Sequence, residues 1–297
     1  MKKLVLLFTF VIMSANFCNA QDWFTSIDIA TRLALVQDKM LFVVWEESFD
    51  YAYPLTYITD NGDLEIVDIS KDKSLDATIW EYFIPVRLQE AEYEELSKNT
   101  EKRRANYIAK LNDDSIKIMD ANKNILNVKV STEFGQNLSS LIKNYALRTT
   151  FIKHDLINYS QQENFTTAFN LGSKYIDFAL FVEKDARSEI IELANIYFDE
   201  ARNYLANSAE DNKEVYLQRI DLLNINEDLV LDNARRALRF LKRTDGIEIL
   251  EANKSLYNFL NYAAFMLLKD EEKAALYKSE LSEVDLKKTE LILNINN

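Results

Sequence analysis

The chain of 297 residues carries 48 acidic and 35 basic side chains, which give it a formal net charge of −13. This excess of carboxylates repels phosphate backbones and argues against a nucleic-acid-binding protein. The length predicts two domains, and 48% hydrophobic with 28% charged residues is an ordinary globular composition. Only 4 glycines and 2 prolines are present, which favours helices joined by short connections.

Residues 1–20 have the pattern of an export signal. Lys2 and Lys3 precede the apolar run Leu4–Met13, and the small residue Ala20 stands before Gln21. A basic start, an apolar stretch and a small residue at the cleavage site are typical of a secretory signal peptide. We therefore expect cleavage between Ala20 and Gln21 and an exported, periplasmic or secreted protein. The run is too short to cross a bilayer, which takes about 20 residues, so no transmembrane segment is predicted.

Cys18 is the only cysteine of the chain, and it lies inside the predicted signal. A lipoprotein processing site has a small residue before the acylated cysteine, whereas Phe17 precedes Cys18, so a lipid anchor at Cys18 is disfavoured. The mature chain would then contain no cysteine. That absence excludes disulfides, thiolate nucleophiles and cysteine metal sites.

Residues 22–148 alternate between helical and strand patterns. Ile27, Ala30 and Ala34 have helical spacing within a helix predicted over Ser26–Gln37. Met40–Trp45 is a continuous apolar run too short for a helix, as in a strand covered on both faces. Further elements are predicted in chain order: a tight turn at Asp60–Asp63, strands at Leu64–Ile69 and Phe83–Leu88, a hairpin of Ile116–Met119 with Ile125–Val130, and a helix at Phe134–Ala146.

After Thr150 amphipathic helices replace the strands. The clearest pattern places Val230, Ala234 and Leu241 on one face of a helix predicted over Glu227–Arg243. Other helices are predicted at about 163–182, 186–206, 213–223, 247–268 and 271–282. Together they predict a stack of antiparallel helix pairs. Leu171-Gly172 followed by Tyr175 resembles a tetratricopeptide element, but the regular period of a true array is absent, so the region is interpreted as repeat-like.

The elements before residue 148 resemble the thioredoxin-like family. Trp23 and the helix leading into Met40–Trp45 are similar to the family's opening helix and first central strand. Trp80–Leu88 resembles its next parallel strand, and Ser115–Leu126 resembles its closing hairpin. The predicted organisation is a signal peptide at 1–20, a thioredoxin-like α/β domain at 21–148 and an all-α, tetratricopeptide-like domain of helical hairpins at 149–297.

Both redox determinants of that family are missing from this chain. Active members place a Cys-x-x-Cys loop at a helix start after the first central strand, where the helix dipole lowers the pKa of one thiol. The corresponding place here reads Glu46–Pro54, and the family's cis-proline is replaced by Asn112–Asp114. The resemblance therefore implies a scaffold without thiol-disulfide oxidoreductase activity.

Other chemistries lack a complete set of residues. His154 is the only histidine, and a single imidazole cannot build a histidine-rich zinc site. Asp120–Asn124 begins like a calcium loop, but Ile125 and Ser131 stand where that loop needs Gly and Glu, so a plain turn is favoured. The acidic stretch Glu90–Glu95 is interpreted as a solvated helix face. No phosphate-binding glycine motif is present, and no catalytic residue, cofactor or metal is predicted.

Two groups of side chains are candidates for binding a partner. Aromatic residues are enriched at binding hot spots, and a basic face on an acidic protein suits an anionic surface. Core packing is the alternative interpretation of the aromatic group, and a solvated helix face is the alternative interpretation of the basic group. The aromatic group comprises Phe49, Tyr51, Tyr53 and Tyr57, and the basic group comprises Arg235, Arg236, Arg239, Lys242 and Arg243.

The functional hypothesis is an exported, non-catalytic protein that binds a protein or peptide partner as an envelope adaptor. Stacked helix pairs commonly present a concave binding surface, which is the role expected of the second domain. The alternative is a hydrolase that acts on a glycan or peptide with carboxylates alone. Its catalytic residues would be among Glu46, Glu47, Asp50 and Asp113.

Overall fold

The computed structural model describes residues 22–59, 61–100, 103–129, 136–209, 211–244 and 248–296. The predicted signal peptide, with Cys18 and the Ala20–Gln21 cleavage site, lies outside the described residues. Contacts divide the chain into two compact units, the first formed by 22–118 and 136–146 and the second by 119–129 and 147–296. The predicted domain boundary after residue 148 lies beside this division. The assignment of 119–129 to the second unit was not predicted.

The first unit is a mixture of helices and strands. Its elements are α1 (Ile27–Gln37), β1 (Met40–Trp45), a 3₁₀ helix (Glu46–Asp50), β2 (Pro54–Ile58), β3 (Leu64–Asp68), α2 (Asp76–Tyr82), β4 (Phe83–Leu88), α3 (Glu90–Thr100), α4 (Ala105–Asn112), β5 (Lys117–Met119), β6 (Gln136–Asn137) and α5 (Leu138–Tyr145). The predicted helix before β1 and the predicted strands β1, β3 and β4 are confirmed.

The core sheet of the first unit has the strand order β4-β1-β5. β1 and β4 are parallel, and their register runs from Met40 opposite Phe83 to Trp45 opposite Leu88. Every residue of β1 is buried, which explains why its sequence is continuously apolar rather than alternating. This sheet places the carboxyl end of β1 beside that of β4.

A second sheet has the order β3-β2-β6. β2 and β3 are antiparallel, with Ile58 opposite Leu64, and β2 is parallel to β6. The turn between β2 and β3 includes Gly62 at a φ of 86°, a conformation that glycine adopts without the strain of a side chain. The predicted tight turn before Leu64 is confirmed at its described residues.

The predicted closing hairpin is formed only in part. β5 ends at Met119, whose single antiparallel bridge is to Ile125, and no strand follows within 120–129. Residue 130 lies outside the described residues. The turn between Met119 and Ile125 is closed by a buried carboxylate instead of a ladder: Asp120 Oδ1 accepts from the backbone amides of Asn122 and Asn124 at 2.9 Å. The prediction of a second long strand was therefore wrong within this range.

The helix predicted over Phe134–Ala146 is shorter than expected. It begins at Leu138, because residues 136 and 137 form the short strand β6. Asn137 caps the helix by accepting from the backbone amide of Ser140 at 3.0 Å. Phe134 itself lies outside the described residues.

The second unit is helical apart from its segment 119–129. Its helices are α6 (Lys153–Gln161), α7 (Phe165–Phe178), α8 (Lys184–Asn207), α9 (Lys213–Val230), α10 (Ala234–Thr244), α11 (Lys254–Leu267), α12 (Glu271–Lys278) and α13 (Glu283–Asn296), with 3₁₀ turns at Thr149–Phe151, Ala179–Phe181 and Glu251–Asn253. A mixed α/β part followed by a helical part is thus confirmed. No helix in the described ranges combines the length and apolarity needed to cross a bilayer.

The single helix predicted over Glu227–Arg243 is wrong, because α9 ends at Val230 and α10 begins at Ala234. Between them Asp232 has a φ of 62°, and the amide of Asn233 donates to the carbonyl of Asp228 at 2.7 Å, as at a helix end followed by a left-handed residue. The apolar spacing concealed this break because Val230 and Ala234 are both buried, although on different helices.

Helices α7 and α8 approach each other closely at Gly172. A Cβ at this position would lie 2.9 Å from the ring of Phe198 and 3.1 Å from the carbonyl oxygen of Ala194. The glycine of the Leu-Gly-x-x-Tyr element therefore has a packing role, which allows two helix backbones to approach.

The segment 119–129 is attached to α7 and α8 through Asp120, which is fully buried. Its Oδ2 accepts from the hydroxyls of Tyr175 at 2.9 Å and Tyr197 at 2.5 Å. The two rings stack with centroids 5.5 Å apart. Burial raises the pKa of Asp120, although the hydrogen bonds from Tyr197, Asn124, Tyr175 and Asn122 act in the opposite direction. We call Asp120, Tyr175 and Tyr197 the Asp120 cluster.

Candidate functional site

A pocket of about 620 Å³ lies in the first unit at the carboxyl end of β1. This volume is within the range of small-molecule and side-chain binding sites. The chain builds the pocket from the end of β1 and the loop after it, from the first turns of α3, and from the end of α4 with the residues after it. Its lining residues are Trp45, Glu47, Ser48, Tyr51, Ala52, Tyr53, Glu90, Tyr93, Asn112 and Asp114.

The aromatic part of the lining has both fixed and exposed members. Trp45 is fixed, since its indole N–H donates to the carbonyl of Asp113 at 2.8 Å. Its ring also packs edge-to-face with that of Tyr93, with centroids 4.4 Å apart. The hydroxyl of Tyr93 donates to Asn112 Oδ1. Tyr51 is 78% exposed. The pocket therefore has an aromatic base held by hydrogen bonds and ring packing, and an exposed aromatic side chain, Tyr51, at its surface.

Tyr53 is buried, and its hydroxyl is part of the wall. It donates to the carbonyl of Asp114 at 2.7 Å and accepts from Gln136 Nε2 at 2.6 Å. Burial raises the pKa of Tyr53 well above its usual range, and the nearby carboxylates of Asp113 and Asp114 act in the same direction. The phenol therefore stays neutral and serves as a structural hydrogen-bonding group.

The charged groups of the lining are all acidic. Glu47, Glu90 and Asp114 are exposed carboxylates, and no Lys, Arg or His is among the described lining residues. Within the described ranges these carboxylates form no ion pair and no side-chain hydrogen bond. Three negative charges are thus presented to whatever enters the pocket.

A polar cluster around the buried Lys117 lies beside Trp45. Lys117 on β5 has its ammonium 4.8 Å from the centre of the Trp45 ring and 3.2 Å from Asp113 Oδ1. Burial lowers the pKa of Lys117 to about 8, although the charge of Asp113 acts in the opposite direction. Asp113 also accepts from the amide and hydroxyl of Ser115, at 2.9 and 2.5 Å.

Asp113 remains ionised in this cluster. Burial raises its pKa, but the hydrogen bond from Ser115 and the charges of Lys110 and Lys117 outweigh that effect and hold the pKa below the usual value. A carboxyl group held in its ionised form is unsuited to the role of general acid. Its carbonyl and side chain instead fix the Trp45 and Lys117 side chains in place.

The structure places the four candidate aromatic residues differently. Tyr51 and Tyr53 line the pocket. Phe49 does not line it and packs against Trp23, with the two ring centroids 5.4 Å apart. The guanidinium carbon of Arg87 lies 4.7 Å from the centroid of the Phe49 ring. Tyr57 lies on β2 and donates to Glu65 Oε2 at 2.5 Å.

The five candidate basic residues all lie on α10. The guanidinium of Arg236 is 3.4 Å from Asp228 Oδ1, and both Arg236 and Arg243 lie over the ring of Phe240, at 5.5 and 5.4 Å. Arg235, Arg239 and Lys242 are exposed. The basic face exists, but on a helix shorter than the predicted one.

The carboxylates considered for hydrolysis are not brought together as a set. Of Glu46, Glu47, Asp50 and Asp113, only Glu47 is among the residues that line the pocket. Within the described ranges, no group of three or more His, Cys, Asp or Glu is arranged to hold a metal ion. His154 is exposed on α6.

Sequence reasoning did not identify the part of the pocket that comes from α3 and from the end of α4 with the residues after it. The sequence assigns Glu90 to a solvated helix face, and Asn112 and Asp114 are noted there only at the position of the family's proline. The only local hint in the sequence is Tyr93, which is the one aromatic residue within the acidic stretch that begins α3. Its ring contact with Trp45 is a tertiary feature, and no local pattern encodes it.

Comparison of the chain with protein-family models, with curated proteins and with solved structures found no match.

Proposed function

We propose that this chain is an exported protein with a thioredoxin-like first domain that has no redox function and binds a polypeptide partner. The observation that carries the proposal is the pocket at the carboxyl end of β1. It occupies the place where the thioredoxin-like resemblance puts the Cys-x-x-Cys loop, and aromatic and carboxylate side chains line it in place of thiols. Ligands of parallel α/β sheets commonly bind at this end of the strands.

The order of elements supports the thioredoxin-like part of this proposal. A helix leads into β1, β4 lies parallel to β1, and a short strand, β5, completes the sheet on the other side of β1. The helical second unit, with its close α7–α8 pair, is then the repeat-like part of an adaptor and offers a second binding surface. Export is proposed on the pattern of residues 1–20 alone.

Binding is a better explanation of this pocket than hydrolysis. Its aromatic side chains other than Tyr51 are held in place by hydrogen bonds and ring contacts, so little ordering of them is required when a ligand enters. Asp113 is engaged by Ser115 and Lys117, and its pKa lies below the usual value. A fixed aromatic surface with one exposed tyrosine is typical of a binding hot spot.

The test is selection of peptides from a random phage-displayed library on the mature protein, residues 21–297. Selected peptides are then measured by fluorescence anisotropy on the wild type, on Tyr51→Ala and on Tyr82→Ala. Tyr82 is a matched control because it is exposed on α2 and does not line the pocket. We expect Tyr51→Ala to weaken binding at least about fivefold and Tyr82→Ala to leave it unchanged. Equal affinities of the three proteins for every selected peptide would exclude the pocket as the binding site.

A further inference from the structure

The charge of the pocket indicates which side chain it receives. Glu47, Glu90 and Asp114 surround it, and no cationic side chain is among its described lining residues. Resting on the function proposed above, we propose that the pocket recognises a basic side chain, Arg or Lys, of an extended segment of the partner polypeptide. The exposed ring of Tyr51 is available to cover the aliphatic stem and the cationic head of that side chain.

Two cations close to the residues that line the pocket are engaged by other groups. Lys117 is buried beside Trp45 with its ammonium directed at Asp113, and Lys110 Nζ donates to the hydroxyl of Ser115 at 2.5 Å. Neither is among the residues that line the pocket. The three lining carboxylates have no ion-pair partner within the described ranges, although the charge of Asp114 also acts to raise the pKa of Lys117. A ligand cation therefore gains their attraction without displacing a direct ion pair.

Other ligand classes fit this lining less well. An acidic or phosphorylated segment is repelled by three carboxylates. A purely apolar side chain removes water from those carboxylates without giving them a hydrogen-bond donor, which is unfavourable. A sugar can stack on an aromatic ring and donate hydroxyls to carboxylates, but it does not neutralise their charge. A basic side chain satisfies both the charges and the aromatic surface.

Arginine fits the lining better than lysine. The guanidinium is planar, donates to carboxylates in pairs and stacks on aromatic rings, whereas the ammonium is a strongly hydrated point charge. Glu47 and Tyr51 come from the same loop, and Glu90 and Tyr93 come from the same helix. Each of these two segments therefore supplies one carboxylate and one aromatic ring to the pocket.

The test uses four short fluorescent peptides of Gly, Ser and Ala that differ only in their central residue, which is Arg, Lys, Gln or Glu. Their affinities for the mature protein are measured by anisotropy at low and at high ionic strength. We expect the order Arg, Lys, Gln, Glu from tightest to weakest, and we expect salt to weaken only the first two. In a competition experiment, free arginine amide must displace the peptide with the central arginine, and an oligosaccharide must not.

Variants identify the carboxylates responsible. Glu47→Gln, Glu90→Gln and Asp114→Asn are each expected to weaken the arginine peptide about threefold to fivefold. Glu95→Gln is the matched control, because Glu95 is exposed on α3, like Glu90, but does not line the pocket. Circular dichroism of each variant verifies that it is folded.

The outcomes separate this inference from the proposed function. If phage-selected peptides bind through Tyr51 but the four central residues give equal affinities, the pocket binds peptides and the cation preference is wrong. If the oligosaccharide displaces the probe, or if Glu95→Gln weakens binding as much as Glu90→Gln, the preference is also wrong. If no peptide of either kind binds, both proposals fail.

Discussion

The carboxylate of Asp120 accepts a hydrogen bond from the hydroxyl of Tyr197 at 2.5 Å, although the two residues are 77 positions apart in the chain. Both side chains are fully buried, and Tyr175 donates to the same carboxylate oxygen. A buried polar group without a partner costs more than a hydrogen bond contributes, so this cluster is sensitive to the removal of its acceptor. The cluster fixes the segment 119–129 to two helices of the second unit.

Replacing Asp120 with alanine is expected to lower the free energy of unfolding by about 2 to 4 kcal/mol, because it leaves the hydroxyls of Tyr175 and Tyr197 without their acceptor. Tyr197→Phe removes one donor and is expected to cost about 1 kcal/mol. Urea unfolding followed by circular dichroism measures both. Glu290→Ala, an exposed change on α13, is the control and should have no effect within about 0.5 kcal/mol. An Asp120→Ala protein as stable as the control would show that the cluster contributes nothing.

Lys117 makes the stability of the first unit depend on alkaline pH. The pKa of its ammonium is about 8 in the folded protein, against 10.5 for an ordinary lysine. Between these two values the unfolded chain binds more protons than the folded one, so the free energy of unfolding rises with pH. Relative to Lys117→Met, we expect the wild type to gain up to about 3 kcal/mol between these pH values.

This pH dependence is measured by urea unfolding of the wild type and Lys117→Met across the same buffers. Lys98→Met, an exposed change on α3, is the control and should follow the wild-type profile. Tyrosines with raised pKa values add their own alkaline dependence, which cancels in the difference between the wild type and the variant. Parallel profiles for the wild type and Lys117→Met would contradict the burial of this ammonium.

Gly172→Ala is expected to destabilise the second unit by about 1 to 3 kcal/mol through overpacking against Phe198. Alanine is the better helix former by about 1 kcal/mol, so an unconstrained helix position would instead become more stable. Thermal unfolding distinguishes the two signs. Adding Phe198→Leu should restore part of the loss in the alanine variant, because the ring is one of the groups in contact. A higher Tm for Gly172→Ala alone would refute the close approach.

Asp232→Gly is expected to stabilise the protein by about 0.5 to 1 kcal/mol, because Asp232 has a φ of 62° and glycine adopts this conformation freely. Arg239→Gly, in the middle of α10, is the matched comparison and should cost about 1 kcal/mol. Chemical unfolding of both variants measures the difference. Equal destabilisation by the two glycines would mean that α9 and α10 are one continuous helix.

Strands β1 and β4 of the core sheet were predictable because a strand buried on both faces is apolar along nearly its whole length. Met40–Trp45 and Phe83–Leu88 are apolar along nearly their whole lengths, and both were found with their observed bounds. The break between α9 and α10 was not predictable from periodicity, because the buried residues on each side keep the same spacing. A left-handed residue between them leaves no apolar signal.

Tyr51 and Tyr53 could be identified because they lie in the loop that directly follows the apolar strand Met40–Trp45. Glu90 and Tyr93 come from a helix later in the chain, and their position beside Trp45 depends on the packing of α3. Asp120 was interpreted as a turn residue, which is correct for its backbone contacts. The two tyrosine hydroxyls that donate to its Oδ2 are 55 and 77 positions away and have no local signature.

The assignment of segment 119–129 to the helical unit has a consequence for synthesis on the ribosome. Domains generally fold in order from the N-terminus as they emerge, yet Asp120 emerges well before Tyr197. Residues 136–146, which belong to the first unit, also emerge before the helices that bind Asp120. The first unit can therefore form its contacts while residues 119–129, which lie within it along the chain, still lack theirs, and a chain released before Tyr197 carries the Asp120 carboxylate without one of the two phenols that hold it.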